Sequence, residues 1–442
     1  MNKMTHVLAI ASMKIEPHRL TARGAVAAIE RGELSAESLT RSCLERIASR
    51  NPAVRAFTAF DEESALVRAR AADRSAHGAL RGLPFAVKDV IDTAEFETSF
   101  GSVIHAGRRP DVDGACVAIA RAQNAVLLGK TVTSEFATQT PGPTRNPHQL
   151  KRTPGGSSSG SAAAVADAMV PVAFGTQTTG SIIRPAAYCG VVGYKPSWGW
   201  IPAAGVKTLS PTNDTVGVLA RDVADAAFFS RGLHADRREL QPASQPRILV
   251  CTSSQWTHLS SPGLQAIERF AARLERAGAR VGRVELPPAL ESAVELQSRI
   301  VAWEARQSLA AERLDHATRL SPRIRARLDE AATMNVQDYM HLLQQVQQVR
   351  LQVQALFEQA DALIYPAADG EAELGLKYSG SPRFGALWTL AHVPCAALPI
   401  GRGPAGLPLG AQLVAAYGHD ERLLAIAQFA ESASEFEPSI PT

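Results

Sequence analysis

Residues Lys151–Gly160 read KRTPGGSSSG and run straight into SAAAVADA at Ser161–Ala168, then VPVAFGTQTTGS at Val170–Ser181. Glycine and serine alone make flexible coil, so composition favours a linker. The residues beyond the run argue otherwise. The alanines predict a helix, and a helix starting here leaves its first N–H groups as unspent donors at the end of the serine run. The apolar residues after it predict a strand that ends in a loop of small residues. The local order is loop, helix, strand, loop.

The same alternation continues in both directions. Upstream, LPFAVKDVI (Leu83–Ile91) is a short run of strand formers with Lys88 and Asp89 inside it. A second run, AVLLGK from Ala125, stops at Gly129 and is followed by polar TVTSEFATQT. Two antiparallel surface helices are expected to open the fold. Ser35 is the candidate N-cap of one, with Leu39, Cys43, Leu44 and Ile47 at three- and four-residue spacing. Downstream, polar residues 234–246 lead into a strand at Arg247–Cys251, a helical pattern from Pro262 to Gly278 and a strand near VGRVEL. Residues 289–360 are almost wholly helical in pattern. This alternation predicts an α/β fold with a largely parallel or mixed sheet covered on both faces.

The 442 residues, 45% of them hydrophobic, suffice for a large core. A net charge of +3 from 46 basic and 43 acidic residues, without a basic block, argues against nucleic acid as a partner. Cys43, Cys116, Cys189, Cys251 and Cys395 are scattered and include no CxxC pair, which points to a reducing cytoplasm and away from a zinc site. No apolar stretch approaches the roughly 20 residues of a membrane-spanning helix. The Val7–Met13 run is at the lower limit for a signal peptide and ends at Lys14.

The serine run also invites two catalytic or binding readings of its own. A phosphate-binding loop needs GxxxxGK[ST], and no lysine follows Gly160. Gly156–Gly160 matches GxSxG with Ser158 at its centre, but that nucleophile elbow follows a strand, and NPHQLKRTP is not one. Ser181 is the other candidate nucleophile. It sits on a small-residue loop where the N–H groups of Thr179, Gly180 and Ser181 converge, as a developing oxyanion requires; each such donor is worth on the order of a hundred- to thousand-fold in rate. A serine hydroxyl needs a base. A lysine whose pKa is lowered by burial serves where histidine is missing, and Lys88 in its apolar run fits. The bland alternative for Lys88 is a salt bridge to Asp89, awkward because adjacent strand residues face opposite ways. Lys130 is expected to be solvated or structural. No SxxK occurs around any lysine in the chain.

Taken together, GGSSSGS from Gly155, GTQTTGSIIR from Gly175, the PFAVKD strand, GKTVTSEFA, TRNPH, CGVVGYKPS and GLPLGAQLVA resemble the amidase signature family from about Leu20 to Glu431. The resemblance implies a single α/β/α domain over 20–442 around a mixed, twisted sheet, with 1–19 as an N-terminal extension. It implies a Ser-Ser-Lys triad: Ser181 as nucleophile, Ser157 as a bridging serine held through a cis peptide bond, and Lys88 as base, with Thr178, Thr179, Gly180 and Ser181 as the oxyanion hole. The two serines stand 24 residues apart, the family spacing. The activity implied is hydrolysis of a small amide, anilide, carbamate or ester without cofactor or metal. The family also contains an amidotransferase subunit that passes ammonia from glutamine to charged transfer RNA.

Four positions depart from the common pattern: Ser159, Gln177, Thr179 and an arginine, Arg184, three residues after Ser181. Arg184, with PRFGALWTL and VPC, looks most like the malonamidase subgroup, in which that arginine holds a substrate carboxylate. Its alternative role is bracing the loop through backbone carbonyls. Pocket walls are expected from Ser134–Gln139, the helical 300–350 region and Phe384–Trp388, and a homodimer is the default assembly.

Overall fold

The computed structural model describes residues 16–75 and 77–441. The Val7–Met13 run and most of the expected 1–19 extension lie outside them. Within them His18 is buried against the Ala36–Val54 helix, its backbone N–H donating to Ser42 Oγ at 3.2 Å.

One mixed sheet of eleven strands organises the chain: β1 (Phe57–Phe60), β2 (Pro84–Lys88), β3 (Val126–Thr131), β4 (Val172–Gln177), β5 (Val192–Lys195), β6 (Thr215–Ala220), β7 (Arg247–Thr252), β8 (Arg280–Glu285), β9 (Ala362–Pro366), β10 (Cys395–Arg402) and β11 (Pro408–Val414). Their order across the sheet is β1-β3-β2-β4-β6-β5-β10-β11-β9-β7-β8. β2 lies parallel to both β3 and β4, whereas β4 and β6 are antiparallel. The expected α/β architecture is therefore present, with every strand from β1 to β11 in one sheet.

The sheet separates two apolar cores, and the pleat decides which residue enters each. Phe85, Val87, Val172 and Phe174 belong to one core, and Ala86, Val126, Leu128 and Ala173 to the other. On the first face the rings of Phe85, Phe174 and Phe229 pack with centroids 5.1–6.0 Å apart. The second face carries the Ser159–Ala166 helix, all of whose residues are buried. Small side chains let that helix lie close to the strands. A Cβ on Gly160 would come within 2.4 Å of the Val132 nitrogen and 2.3 Å of the Ala56 carbonyl oxygen.

Ser35 caps the Ala36–Val54 helix by accepting from Ser38 N, and Leu39, Cys43, Leu44 and Ile47 are buried as the spacing predicts. The 289–360 region is helical, ending in the Val336–Leu356 helix.

One expectation at Lys130 requires correction, and an alternative left open there is decided. β3 does not stop at Gly129 but continues to Thr131, and of the two roles expected for Lys130 the structural one holds, since it is fully buried. Its Nζ donates to Ile91 O at 2.6 Å and Thr98 Oγ1 at 2.7 Å, and lies 3.3 Å from Asp89 Oδ1. Burial lowers its pKa to about 8, with Asp89 opposing. Asp89 is thus committed to Lys130, and Lys88 is left without it.

Candidate active site

Lys88 ends β2, between β3 and β4, and has no measurable solvent exposure. Its Nζ lies 2.7 Å from Ser157 Oγ, 2.8 Å from Thr176 Oγ1 and 3.3 Å from Thr176 O. Burial depresses its pKa well below the ordinary 10.5; Asp214 opposes that shift and Arg184 adds to it. Burial therefore favours the neutral amine at Lys88.

Ser157 follows a cis Gly156–Ser157 peptide bond and is fully buried. Ser158 N donates to Ser181 O at 3.2 Å, which ties the two serine motifs together. Ser181, only 7% exposed, lies on the loop between β4 and the Ile183–Cys189 helix. Its Oγ makes no hydrogen bond among the described residues. The Lys88–Ser157 step of the expected relay is thus hydrogen-bonded, and the Ser157–Ser181 step is not.

Ser158 is occupied elsewhere. Its Oγ donates to Thr176 O at 3.1 Å and accepts from Thr176 N at 3.2 Å, and it follows no strand. Ser158→Ala is therefore expected to keep kcat/KM within about tenfold of wild type while costing about 1–3 kcal/mol of stability for the stranded backbone groups. Steady-state kinetics and thermal melts check both parts, and loss of turnover in this variant would restore the GxSxG alternative.

The loop Thr178–Ser181 is held by everything except its N–H groups. Among the described residues none of the four N–H groups donates to protein. Thr178 Oγ1 donates to Asp214 Oδ1 at 2.5 Å; Gln297 Nε2 donates to Thr178 O at 2.8 Å; Thr389 Oγ1 donates to Thr179 O at 2.9 Å. Gly385 packs beneath, where a Cβ would meet Thr179 O at 2.2 Å. Such a loop presents fixed dipoles to whatever forms above it.

Two departures from the family pattern find their reasons here. Gln177 Oε1 accepts from Ile182 N and Ile183 N, and its Nε2 donates to Thr389 Oγ1 at 3.0 Å. Thr179 Oγ1 is taken up by Gln297 at 3.1 Å.

Ser181, Thr178, Thr179 and Arg184 border a cavity of about 440 Å³. Its walls are Ala137–Gln139, Val301, Ala305 and Leu309, and residues between Arg323 and Glu330. The expected 300–350 wall and the end of the Ser134–Gln139 wall are in place. Phe384–Trp388 is corrected: those residues are buried under the loop, and Tyr378 and Pro382 line the cavity instead. A larger hollow of about 660 Å³ beside Trp198, Arg350 and His392 contains none of the candidate residues.

Arg184 braces backbone carbonyls, with Nε donating to Ser379 O at 2.7 Å and Nη2 to Gly156 O. Its Nη1 is buried without a protein partner. Both candidate roles of this residue thus have a nitrogen available.

Sequence reasoning does not reach Thr176, Asp214 and Gln297. Thr176 lies inside the GTQ motif, so its presence is visible there but not its direction. β6 pairs antiparallel with β4, with Thr215 opposite Gln177, which carries Asp214 to Thr178. Gln297 arrives on the Ala293–Ser308 helix, 118 residues beyond Thr179.

Among known proteins, the sequence model of the Amidase family matches residues 38–424. The chain belongs to the amidase family. One relative is the A subunit of glutamyl-tRNA(Gln) amidotransferase from Symbiobacterium thermophilum, 34% identical over 455 aligned positions that cover 90% of this chain and 93% of that protein. The A subunit of the same enzyme from Acidothermus cellulolyticus is 45% identical over 222 residues, which is 48% of this chain and 44% of that protein, so the chain spans about half the length of that relative. Among solved structures, the peptide amidase of Stenotrophomonas maltophilia superposes with a TM-score of 0.81 at 28% identity, covering 96% of this chain and 99% of that one. The family match and this superposition agree with the eleven-stranded mixed sheet.

Proposed function

We propose that this amidase-family protein hydrolyses the C–N bond of a small amide through an acyl-enzyme on Ser181, with Ser157 and Lys88 as the proton relay. The observation that carries it is the hydrogen-bond inventory of Lys88. A neutral amine has two N–H donors and one lone pair. Nζ has three oxygens within reach, Ser157 Oγ at 2.7 Å, Thr176 Oγ1 at 2.8 Å and Thr176 O at 3.3 Å, so in the neutral form that burial favours it can donate to the two of Thr176 and turn its lone pair to the Ser157 hydroxyl. Lys88 is thereby set to receive a proton from Ser157.

In this mechanism Ser181 Oγ attacks the substrate carbonyl carbon while its proton passes to Ser157 Oγ and that of Ser157 passes to Lys88. The N–H groups of Thr178, Thr179, Gly180 and Ser181 hold the negative oxygen, as the unspent donors of the loop allow. Lys88 and Ser157 return the proton to the leaving amine, and water repeats the sequence in reverse to free the acid. The relay calls for no cofactor or metal. A cavity of about 440 Å³ suits a small molecule.

The names of the relatives favour a second function, in which the chain is one part of an amidotransferase and works with partner subunits. The two differ in what the purified chain does alone. We expect it to turn over simple amides by itself, as a homodimer in the cytoplasm; among the described residues no helix is long and apolar enough to cross a membrane. Turnover that appears only on adding partner subunits would favour the amidotransferase.

Arg184 sets the substrate prediction. Arg184 is among the residues lining the cavity, and its buried Nη1 has no protein partner, which suits an acyl chain ending in a carboxylate, as in the malonamidase subgroup. In a panel of amides, anilides, carbamates and carboxylate-bearing half-amides, half-amides are expected to be preferred. Arg184→Ala is expected to erase that preference by on the order of 100-fold in kcat/KM, the scale of a charge-assisted hydrogen bond. Half-amides no better than neutral amides, with Arg184→Ala sparing turnover, would end the carboxylate role.

A further inference from the structure

The proposed mechanism uses Thr178 only through its N–H group. Its side chain points to a residue with no place in that mechanism. Asp214 Oδ1 accepts from Thr178 Oγ1 at 2.5 Å, while Oδ2 accepts from Leu209 N at 2.8 Å and Ser210 N at 3.0 Å. One carboxylate therefore fastens the oxyanion loop to the turn that enters β6. That turn is itself held from behind: Glu304 Oε1 accepts from Thr212 Oγ1 at 2.8 Å and Tyr339 OH at 2.6 Å, and Glu304 Oε2 accepts from Ser210 Oγ. Glu304 belongs to the same Ala293–Ser308 helix that supplies Gln297 to the loop. The loop and the turn are thus braced by one helix at two points.

Asp214 is also the anion that acts on Lys88. It opposes the depression of the lysine pKa, while Arg184 reinforces it. Among the described residues, these are the two charged groups that act on Lys88.

We propose that Asp214 is a positioning residue for the reaction: through Thr178, two residues beyond the Thr176 to which Lys88 is hydrogen-bonded, it ties the oxyanion loop to the turn that enters β6. Asp214 keeps some solvent access but is enclosed by protein, and burial with the nearby Glu304 raises its own pKa to about 6 even against its three hydrogen bonds. At neutral pH it is mainly ionised. Deprotonated Asp214 favours the protonated lysine, so its charge opposes the loss of proton affinity that burial imposes on Lys88. The same carboxylate thereby aligns the oxyanion donors and tunes the base.

This inference rests on the Ser181–Ser157–Lys88 mechanism, and one experiment separates their failures. A fluorophosphonate probe phosphonylates an activated serine: serine oxygen displaces fluoride at phosphorus, and the serine proton passes to the base. The probe needs no knowledge of the substrate. Its second-order labelling rate is measured against pH for wild type, Ser181→Ala, Asp214→Asn and Thr178→Val, with thermal melts of each. The mechanism requires that Ser181→Ala abolish labelling at the site; persistent labelling overturns the mechanism whatever Asp214 does.

Given that loss, the inference makes a signed prediction. Removing the Asp214 charge removes stabilisation of protonated Lys88, so the acid limb of the Asp214→Asn profile moves to lower pH, by about half a unit or more for a neighbouring charge. Its plateau rate falls about tenfold or more, as the loop loses its anchor. Thr178→Val keeps the charge but not the anchor, so its plateau falls while its acid limb moves by less than that of Asp214→Asn. If Asp214→Asn does not fold, Asp214→Glu takes its place; retained charge then predicts an acid limb near that of wild type with a lowered plateau. An acid limb that stays put in a folded Asp214→Asn, or shifts upward, overturns the inference, as does a Thr178→Val plateau equal to wild type.

Discussion

Ser181→Ala is expected to lower kcat by on the order of 10⁴-fold or more, since loss of the nucleophile leaves only binding and the oxyanion hole to act. The variant should nevertheless bind substrate and fold. Ser181 Oγ makes no hydrogen bond to protein among the described residues, so its removal strands no buried partner, and stability should change by about 0.5 kcal/mol or less. That separates it from Ser157→Ala, which would leave Lys88 Nζ facing a methyl group. The decisive measurement is the mass of the enzyme during turnover of a slowly deacylating ester. Wild type should carry an acyl adduct that peptide mapping places on Ser181, and Ser181→Ala should carry none. An adduct that survives in the variant, or turnover near wild type, sinks the assignment of the nucleophile.

Why Ser181 is legible in the sequence while Asp214 is not depends on where their partners lie in the chain. Ser157, Ser158 and Ser181 belong to one loop-helix-strand-loop unit whose element types are visible from composition and periodicity. The position of Lys88 is visible too, because an apolar run with one lysine near its end reads as a buried strand. What no local pattern carries is register across the sheet. Asp214 reaches Thr178 only because β4 and β6 pair antiparallel with Thr215 opposite Gln177. Asp89 is next to Lys88 in the chain but partners Lys130 of β3. The misjudged end of β3 has the same origin. A lysine after a glycine looks like a strand leaving the core, and only the buried acceptors Ile91 O, Thr98 Oγ1 and Asp89 Oδ1 make it tolerable inside. Gln297 shows the limit most plainly, since a glutamine in a polar-patterned helix has no mark of the loop it supports.

Lys88→Met should lower kcat/KM by on the order of 10³-fold or more, and its stability should change with pH in the opposite sense to a simple loss of contacts. Burial holds the folded-state pKa of Lys88 below 10.5, its ordinary value. Activity needs the neutral amine, so wild-type activity is present above the folded pKa and is lost as pH falls through it. Stability follows the same proton. Between the folded pKa and 10.5 the unfolded lysine is protonated and the folded one is not, so unfolding takes up a proton and wild-type stability rises with pH. Methionine has no such proton. The difference in unfolding free energy, variant minus wild type, should therefore grow more favourable to the variant as pH is lowered from about 10 toward neutrality, at up to about 1.4 kcal/mol per pH unit. Part of this is offset by the lost hydrogen bonds to Ser157 Oγ and Thr176 Oγ1, which shift the curve down without changing its slope. Chemical denaturation of both proteins across that pH range measures the slope directly. A flat difference would mean that Lys88 stays charged in the folded protein, and a charged lysine has no lone pair with which to take the proton of Ser157.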